Sequence, residues 1–332
     1  MILTNRKISK ELMYYRALSY RLKFSNDLKK KWDVLERGFE GELLYDSIYD
    51  EILSHLYVFR DIYLSIDNNI LQCDALIITD SGLIINEIKN FKGIYTYENE
   101  KWYVRNMEIS DDPISQLKRT TSKLVKLNYL YNISLRTEGK LIFPNPDFSL
   151  ETSHQILPDS IIVRHQIRRY LYNLSNLKSS QQSESFVEII REHIIENPFF
   201  NYSANFNQLR KGIYCRNCGN FSPRKISFHF QCDNCHHKDT IQTIILQALS
   251  DFNILFSDEN LTRQKLFEFL DGQVANSTLN KYLPQYCKKI NSGPATHYKF
   301  NYYDLNDALV NESRLRRYKD TPLTVVNNYT SD

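Results

Sequence analysis

The chain has 332 residues, of which 42% are hydrophobic and 24% charged, and its formal net charge is +3. Its apolar runs, such as 75–78, are far shorter than the roughly 20 residues that span a membrane, and no small-residue cleavage site follows its basic N-terminal stretch. We therefore expect a cytoplasmic protein with two or three packed domains, and six cysteines in a chain this long exclude a secreted disulfide framework.

The net charge conceals three blocks of opposite sign. Residues 1–35 contain nine basic and three acidic side chains, residues 36–112 contain six and sixteen, and residues 113–240 contain seventeen and ten. An acidic block between two basic blocks suits a cation-binding centre flanked by phosphate-binding surfaces, although a plain solvated surface gives the same pattern.

The first half of the chain alternates between helical and strand patterns. Hydrophobic spacing predicts helices over about 7–32 and 39–53, then strands over 56–66, 70–79, 83–90, 94–97 and 102–105. Pro113 opens a helix to about residue 131, followed by strands at 140–143 and 160–163 and helices at about 165–176 and 184–197. This order predicts an α/β (α+β) fold, in which helices flank a mixed sheet.

Two acidic side chains and one lysine lie within the most apolar of these strands. Glu87 and Lys89 share one face because strand side chains alternate, and antiparallel pairing across the turn at 80–82 can bring Asp74 beside Glu87. Two carboxylates held together repel each other unless a cation joins them, and Mg²⁺ is a natural partner for such oxygens. Glu42 could supply a further carboxylate. An ordinary ion pair between Glu87 and Lys89 is the alternative.

Four short motifs then resemble one known family. They are Gly38-Phe39-Glu40-Gly41-Glu42, Gln72-Cys73-Asp74, Asn86-Glu87-Ile88-Lys89-Asn90 with Gly93, and Asp112-Pro113-Ile114-Ser115-Gln116. Their order and spacing over roughly residues 36–175 resemble the nuclease-related domain (NERD), which is similar to the wider PD-(D/E)xK, restriction-endonuclease-like fold. Asp112 departs from the family pattern, which often has Asn there, and a helix cap explains an aspartate equally well.

The resemblance implies a set of site residues. Asp74 and Glu87 would bind catalytic Mg²⁺ or Mn²⁺ with help from Glu42, Lys89 would be the catalytic lysine, and Gln116 would touch the site from the adjacent helix. It also implies a metal-dependent nuclease.

A second metal site is predicted by cysteine spacing alone. Cys215-x-x-Cys218 and Cys232-x-x-Cys235 have the spacing of a zinc ribbon, in which two knuckles hold one structural Zn²⁺ between four thiolates. Either His236 or His237 could replace a cysteine. Arg224 and Lys225 lie between the pairs with several aromatic residues, which suits contacts with nucleic acid but equally a small ribbon core.

In the last part of the chain, the sequence pattern predicts a helix over 241–255, a helix capped by Thr262, a turn at 271–274, a further helix and a hairpin. This outline is that of a winged helix-turn-helix module, in which Asn280 and Lys281 would face DNA. Helical packing domains without DNA have the same outline.

These patterns predict four parts: a basic N-terminal helix (1–35), a NERD nuclease-like domain (36–205), a zinc ribbon (210–240) and a helical, possibly winged-helix domain (241–320). The function predicted is metal-dependent hydrolysis of DNA, with nucleic acid as partner. The alternative is a non-catalytic DNA-binding or regulatory protein on a nuclease-like fold, and a single-stranded or RNA substrate also stays open.

Overall fold

The structure, a computed structural model, describes residues 1–52, 55–110, 112–152, 159–291, 293–312 and 318–323. The chain divides into two compact units: Met1–Ile8 with Lys30–Phe199, and Ser9–Lys29 with the chain from Phe200 onward. Within those described ranges no helix has the length and apolar character needed to cross a bilayer. The four-part division drawn from the sequence stays a prediction.

The first two helices differ from those predicted. Helix α1 covers Lys10–Arg21 and helix α2 covers Asn26–Ile52, so the predicted helices over 7–32 and 39–53 were wrong in where the chain breaks. Ser9 caps α1 by accepting a hydrogen bond from the Leu12 amide, and Leu22 takes an extended conformation that ends the helix. Charged residues at helical spacing continue through both segments, which hides this break in the sequence.

The described residues of the first unit form two sheets and four helices. Its remaining elements are β1 (Tyr57–Ile66), β2 (Asn69–Thr79), β3 (Gly82–Ile88), β4 (Gly93–Glu98), β5 (Lys101–Val104), β6 (Met107–Glu108), α3 (Pro113–Tyr131), β7 (Arg136–Phe143), β8 (Phe148–Glu151), β9 (Ile161–Val163), α4 (Arg164–Ser175), α5 (Gln181–His193) and β10 (Ile194–Ile195). The larger sheet has the order β10-β1-β2-β3-β7-β9, and the smaller has the order β6-β5-β4-β8. Strands β1 to β3 pair antiparallel, whereas β3, β7 and β9 pair parallel, which confirms the mixed sheet.

Helices cover both faces of the larger sheet. Leu117 and Leu124 of α3 and Phe186 and Ile190 of α5 belong to the core on one face. The core on the other face includes residues of α2 and α4, namely Tyr45, Ile48, Ile167 and Leu171. Charged side chains at the end of β3 therefore lie between two helical layers that limit their access to water.

A local irregularity in β1 and β2 lies at the predicted site. Leu71 and Cys73 belong to the same core as Leu76, so the in-out alternation of β2 shifts by one residue around Asp74. Asp61 lies opposite in β1 with a φ of 49°, and the β1–β2 register pairs the residues on either side of these two aspartates but not the aspartates themselves. The ladder is therefore interrupted at Asp61 and Asp74, and we call this interruption the kink at Asp74.

One further helix differs in length from the prediction, and two strands were not predicted. The helix predicted over 184–197 ends at His193, because Ile194 and Ile195 pair with Leu64 and Tyr63 of β1. The strands β6 and β8, which build the smaller sheet around β4 and β5, were not predicted. Both are four residues or fewer, and so short a strand leaves little periodicity in the sequence.

The second unit combines α1 with a small sheet and a helical module. Its remaining elements are β11 (Pro223–Ile226), β12 (His229–Cys232), β13 (Lys238–Thr240), α6 (Ile241–Leu255), α7 (Arg263–Phe269), α8 (Asn276–Tyr286), β14 (Cys287–Ile290), β15 (His297–Phe300) and α9 (Leu305–Glu312). Thr262 caps α7, as predicted, and β14 and β15 form the predicted hairpin after α8. Residues 313–317 of the predicted C-terminal domain lie outside the described residues.

Candidate active site and metal centre

Glu87, Lys89 and Gln116 form one hydrogen-bonded group at the end of β3. Lys89 Nζ lies 2.8 Å from Glu87 Oε1, and Gln116 Nε2 donates to the same oxygen over 2.7 Å. Glu87 is 2% exposed, whereas the side chain of Lys89 is 24% exposed. Helix α3, which begins after its N-cap Asp112, brings Gln116 to this position. Glu87 is thus the buried member of the group, whereas Lys89 and Gln116 are half-buried and partly reached by solvent.

Asp74 reaches the same place from the neighbouring strand. The β2–β3 ladder runs from Thr79 and Gly82 to Ala75 and Asn86 and stops there. Beyond it the amide of Ile88 donates to Asp74 Oδ2 over 2.8 Å. The kink at Asp74 therefore turns its carboxylate toward β3, beside Glu87.

Glu42 approaches from helix α2 and contacts an arginine that sequence analysis did not single out. Arg6 Nη1 lies 2.8 Å from Glu42 Oε2, and Arg6 Nη2 donates to the backbone oxygen of Asp74 over 2.8 Å. Glu42 and Asp74 are therefore joined through one guanidinium group.

The carboxylates keep oxygens that could bind a cation. In the described part of the chain, no hydrogen bond engages Asp74 Oδ1, Glu87 Oε2 or Glu42 Oε1, while the second oxygen of each carboxylate is fixed by the protein. The three do not form a compact ligand cluster: among the described residues, three or more ligand atoms lie within 4.8 Å of one another only at the cysteines. Two close carboxylates with water and phosphate oxygens are the kind of site that Mg²⁺ uses.

Burial and mutual repulsion perturb the acidic groups. Burial, and then the neighbouring charge of Asp74, raise the pKa of Glu87 to about 7, although Lys89 opposes the shift. The same two causes raise the pKa of Glu42 to about 8, against the effect of Arg6. Burial lowers the pKa of Lys89, but Glu87 and Asp74 outweigh it and raise that pKa. Shifted pKa values of this kind are typical of functional sites, and the raised pKa of Lys89 keeps its ammonium group protonated.

Gly41 allows α2 to come close to the chain after β3. A Cβ atom on Gly41 would lie 2.4 Å from Cβ of Asn90, next to Lys89, so alanine cannot fit without moving the helix. We predict that Gly41→Ala lowers the free energy of unfolding by about 1–3 kcal/mol and displaces Glu42, because overpacking outweighs the gain in helix propensity. Thermal unfolding and Mn²⁺-dependent cleavage would measure the two effects.

Gly38 provides the matched control for this prediction. It lies in the same helix, and a Cβ atom there would meet nothing within 4 Å. Gly38→Ala should therefore stabilise the protein by about 0.5–1 kcal/mol. Equal stability of the two variants would show that the close approach of α2 does not matter.

The four cysteines of the second unit lie together. The Sγ atoms of Cys215 and Cys235 are 3.6 Å apart, as are those of Cys218 and Cys232, and all four lie within 4.8 Å of one another. A tetrahedral Zn²⁺ site with Zn–S bonds of about 2.3 Å requires sulfur atoms about 3.8 Å apart. The sulfur positions therefore fit one tetrahedral metal ion.

Each CxxC pair forms a turn of the same design. The amide of Gly219 donates to the carbonyl of Cys215, and the amide of His236 donates to the carbonyl of Cys232. Gly219 and His236 both have positive φ, so His236 serves as the closing residue of the second turn. His237 Nε2 lies 3.1 Å from Asp239 Oδ1. Both histidines thus have structural positions of their own beside a complete set of four sulfurs.

The residues predicted to contact nucleic acid are exposed. Arg224 and Lys225 are exposed on β11, where Arg224 Nε forms an ion pair with Asp233 Oδ1 over 2.7 Å. Asn280 and Lys281 are exposed on α8, and Arg263 Nη1 donates to Asn280 Oδ1 over 3.4 Å. Their role in binding stays a prediction.

The family comparison covers the site formed by the carboxylates and Lys89. Residues 37–144 match the family model of the nuclease-related domain (NERD), and this range includes Glu42, Asp74, Glu87, Lys89 and Gln116. This chain therefore contains a nuclease-related domain, which indicates a nuclease-related function. No curated protein and no solved structure matched the chain.

Proposed function

We propose that this protein is a metal-dependent nuclease that hydrolyses phosphodiester bonds of DNA. The observation that carries the proposal is the convergence of Asp74, Glu87 and Lys89 at one end of β3, with an open oxygen on each carboxylate. Asp74 and Glu87 would hold Mg²⁺ or Mn²⁺, and Glu42 would assist them. The nuclease-related domain supports a phosphodiester as the substrate class.

Each side chain of the site has a separate task in this proposal. A bound Mg²⁺ or Mn²⁺ supplies Lewis acidity toward a phosphoryl oxygen and lowers the pKa of a bound water. The Lys89 ammonium orients the attacking water and neutralises charge that develops on the phosphoryl group. Gln116 holds Glu87 in position through its amide, and the burial of Glu87 keeps competing water away.

The second unit would position the substrate. We propose that Cys215, Cys218, Cys232 and Cys235 bind one structural Zn²⁺, since four sulfurs leave no open position for chemistry. Lys225 and Arg224 on the ribbon and Asn280 and Lys281 on α8 would contact DNA. Lys288 and Lys289 on the hairpin add exposed positive charge beside α8, which suits a phosphate backbone.

A second candidate function is DNA binding without cleavage. One observation favours it: Lys89 is paired with Glu87 and Glu42 with Arg6, so the charged groups satisfy one another without an added ion. A regulatory protein on a nuclease-like fold would retain such a network and would need no divalent cation.

The two candidates are separated by cleavage assays on single- and double-stranded DNA. The parent protein with Mn²⁺ should cut at least one of these substrates, chelator should abolish cutting, and Lys89→Ala should reduce it about a thousandfold. DNA binding measured with chelator present supplies the control, because Lys89→Ala should bind nearly as well as the parent.

Three outcomes can be told apart. Cleavage by the parent alone supports the nuclease, whereas binding with no cleavage by either protein supports the regulatory function. Equal cleavage by both proteins contradicts the role of Lys89. An RNA substrate in the same assay tests the remaining choice of nucleic acid.

A further inference from the structure

The segment before α1 lies along the edge of β1 in the first unit. The amide of Leu3 donates to the carbonyl of Val58 over 2.8 Å. The hydroxyl of Thr4 donates to the carbonyl of Arg60 over 3.0 Å and accepts from the amide of Arg60 over 2.7 Å. These three hydrogen bonds fix Leu3 and Thr4 against Val58 and Arg60 of β1. The position of the residues that follow Thr4 is therefore defined as well.

Arg6 lies two residues after the anchored Thr4, and its side chain reaches the carboxylates. Its side chain is 2% exposed. Nη1 lies 2.8 Å from Glu42 Oε2, Nε lies 2.8 Å from Asp46 Oδ2, and Nη2 donates to the backbone oxygen of Asp74 over 2.8 Å. One planar group thus contacts two positions of helix α2 and the backbone of β2.

These contacts reach the site from outside the segment that matches the nuclease-related domain, which begins at residue 37. We infer that Arg6 is a positioning residue of the proposed nuclease site, because it fixes Glu42 and the backbone of Asp74, two of the residues that would hold the cation. This inference rests on the proposed function. A guanidinium suits the task because its fork of donors has a fixed geometry, which a lysine cannot reproduce.

A purely structural role is the alternative, since the same contacts join the N-terminal segment to α2. A variant of Arg60 distinguishes the two roles. Its buried guanidinium lies 3.3 Å from Asp46 Oδ1 and 2.5 Å from Asp50 Oδ1, so it shares Asp46 with Arg6. No hydrogen bond or ion pair described for its side chain reaches Glu42 or Asp74. Arg60→Ala therefore removes a comparable buried cation that contacts the same helix α2, without touching the proposed ligands.

The experiment compares Mn²⁺ affinity in the full chain with its zinc content verified. Calorimetric titration with Mn²⁺ would be done on the parent, Arg6→Ala, Arg6→Lys and Arg60→Ala, each with its thermal unfolding curve. Arg6→Ala should bind Mn²⁺ about tenfold to a hundredfold more weakly, as is usual when a partner of a metal ligand is removed. Arg6→Lys should recover only part of this loss, and Arg60→Ala should retain the affinity of the parent.

Cleavage kinetics supply the second measurement. In Arg6→Ala, kcat at fixed Mn²⁺ should fall while KM for DNA stays near that of the parent, and excess Mn²⁺ should restore part of the rate. If Arg6→Ala does not fold, the Mn²⁺ affinity of Arg6→Lys is compared with that of the parent, and Arg60→Lys serves as its control. Equal Mn²⁺ affinity in the Arg6 variants and the parent would overturn the inference while leaving nuclease activity possible.

The inference and the proposed function can fail separately. Mn²⁺ binding that weakens in the Arg6 variants, with no cleavage by any protein, would reject the nuclease and keep Arg6 as a positioning residue. Absence of Mn²⁺ binding by the parent would reject both.

Discussion

A Glu87→Gln variant should cleave DNA about a thousandfold more slowly than the parent protein at saturating Mn²⁺ and still fold. Glutamine has nearly the same shape, and its carbonyl oxygen can still accept from Lys89 and Gln116, as Glu87 Oε1 does. What it lacks is the negative charge that a divalent cation requires. Single-turnover cleavage rates and thermal unfolding would be measured on the same preparations.

The pH dependence of stability provides an independent check on this variant. Burial and Asp74 raise the pKa of Glu87 to about 7 from an ordinary value of 4.5, so the folded protein holds this proton more tightly than the unfolded chain. The stability gained from this proton is complete below about pH 4.5 and is lost as pH rises toward 7. Without metal, the melting temperature of Glu87→Gln should fall less across this range than that of the parent.

Glu138 supplies the control for both measurements. It lies on the neighbouring strand β7, where its carboxylate is 2.7 Å from Arg136 Nη2, and its side chain is 34% exposed. Glu138→Gln should leave cleavage and its Mn²⁺ dependence close to those of the parent. If Glu87→Gln cut DNA as fast as Glu138→Gln, the assignment of Glu87 as a metal ligand would be wrong.

The sheet and the pairing of its central strands could be predicted because their signals are local. Alternating apolar residues define β2 and β3, and the turn at residues 80–82 joins them as an antiparallel pair. Strand alternation then puts Glu87 and Lys89 on one face, and the structure joins them by an ion pair of 2.8 Å. The zinc ribbon sulfurs follow in the same way, since each CxxC turn closes within a few residues.

The parts that could not be predicted depend on contacts between distant positions. Nothing near Arg6 distinguishes it from the other basic residues of its block, because its partners Glu42 and Asp74 lie far along the chain. The kink at Asp61 and Asp74 is hidden for another reason. In the structure Leu71 and Cys73 before it share a core with Leu76 and Ile78 after it, so the facing of β2 side chains shifts at Asp74. Residues 75–78 are all apolar, so the sequence shows no alternation after Asp74 in which this shift could be seen.

A Cys215→Ser variant should lose its zinc, with metal content falling from one ion per chain to near zero. Serine cannot replace the thiolate, and three remaining sulfurs do not complete the tetrahedron. The sheet β11-β12-β13 has strands of four residues or fewer and few buried side chains, so we expect the proposed zinc to supply much of its folding free energy. Elemental analysis would measure the zinc, and limited proteolysis would detect new cuts between residues 213 and 240.

The matched control for this loss is Cys287→Ala. Cys287 is also buried, at the start of β14, but it lies outside the group of four sulfurs. This variant should retain one zinc per chain and the protease resistance of the parent ribbon. One zinc ion per chain in Cys215→Ser would contradict the ligand assignment. Because His237 is held beside Asp239 and His236 closes the second turn, neither histidine is positioned to take the place of the missing sulfur.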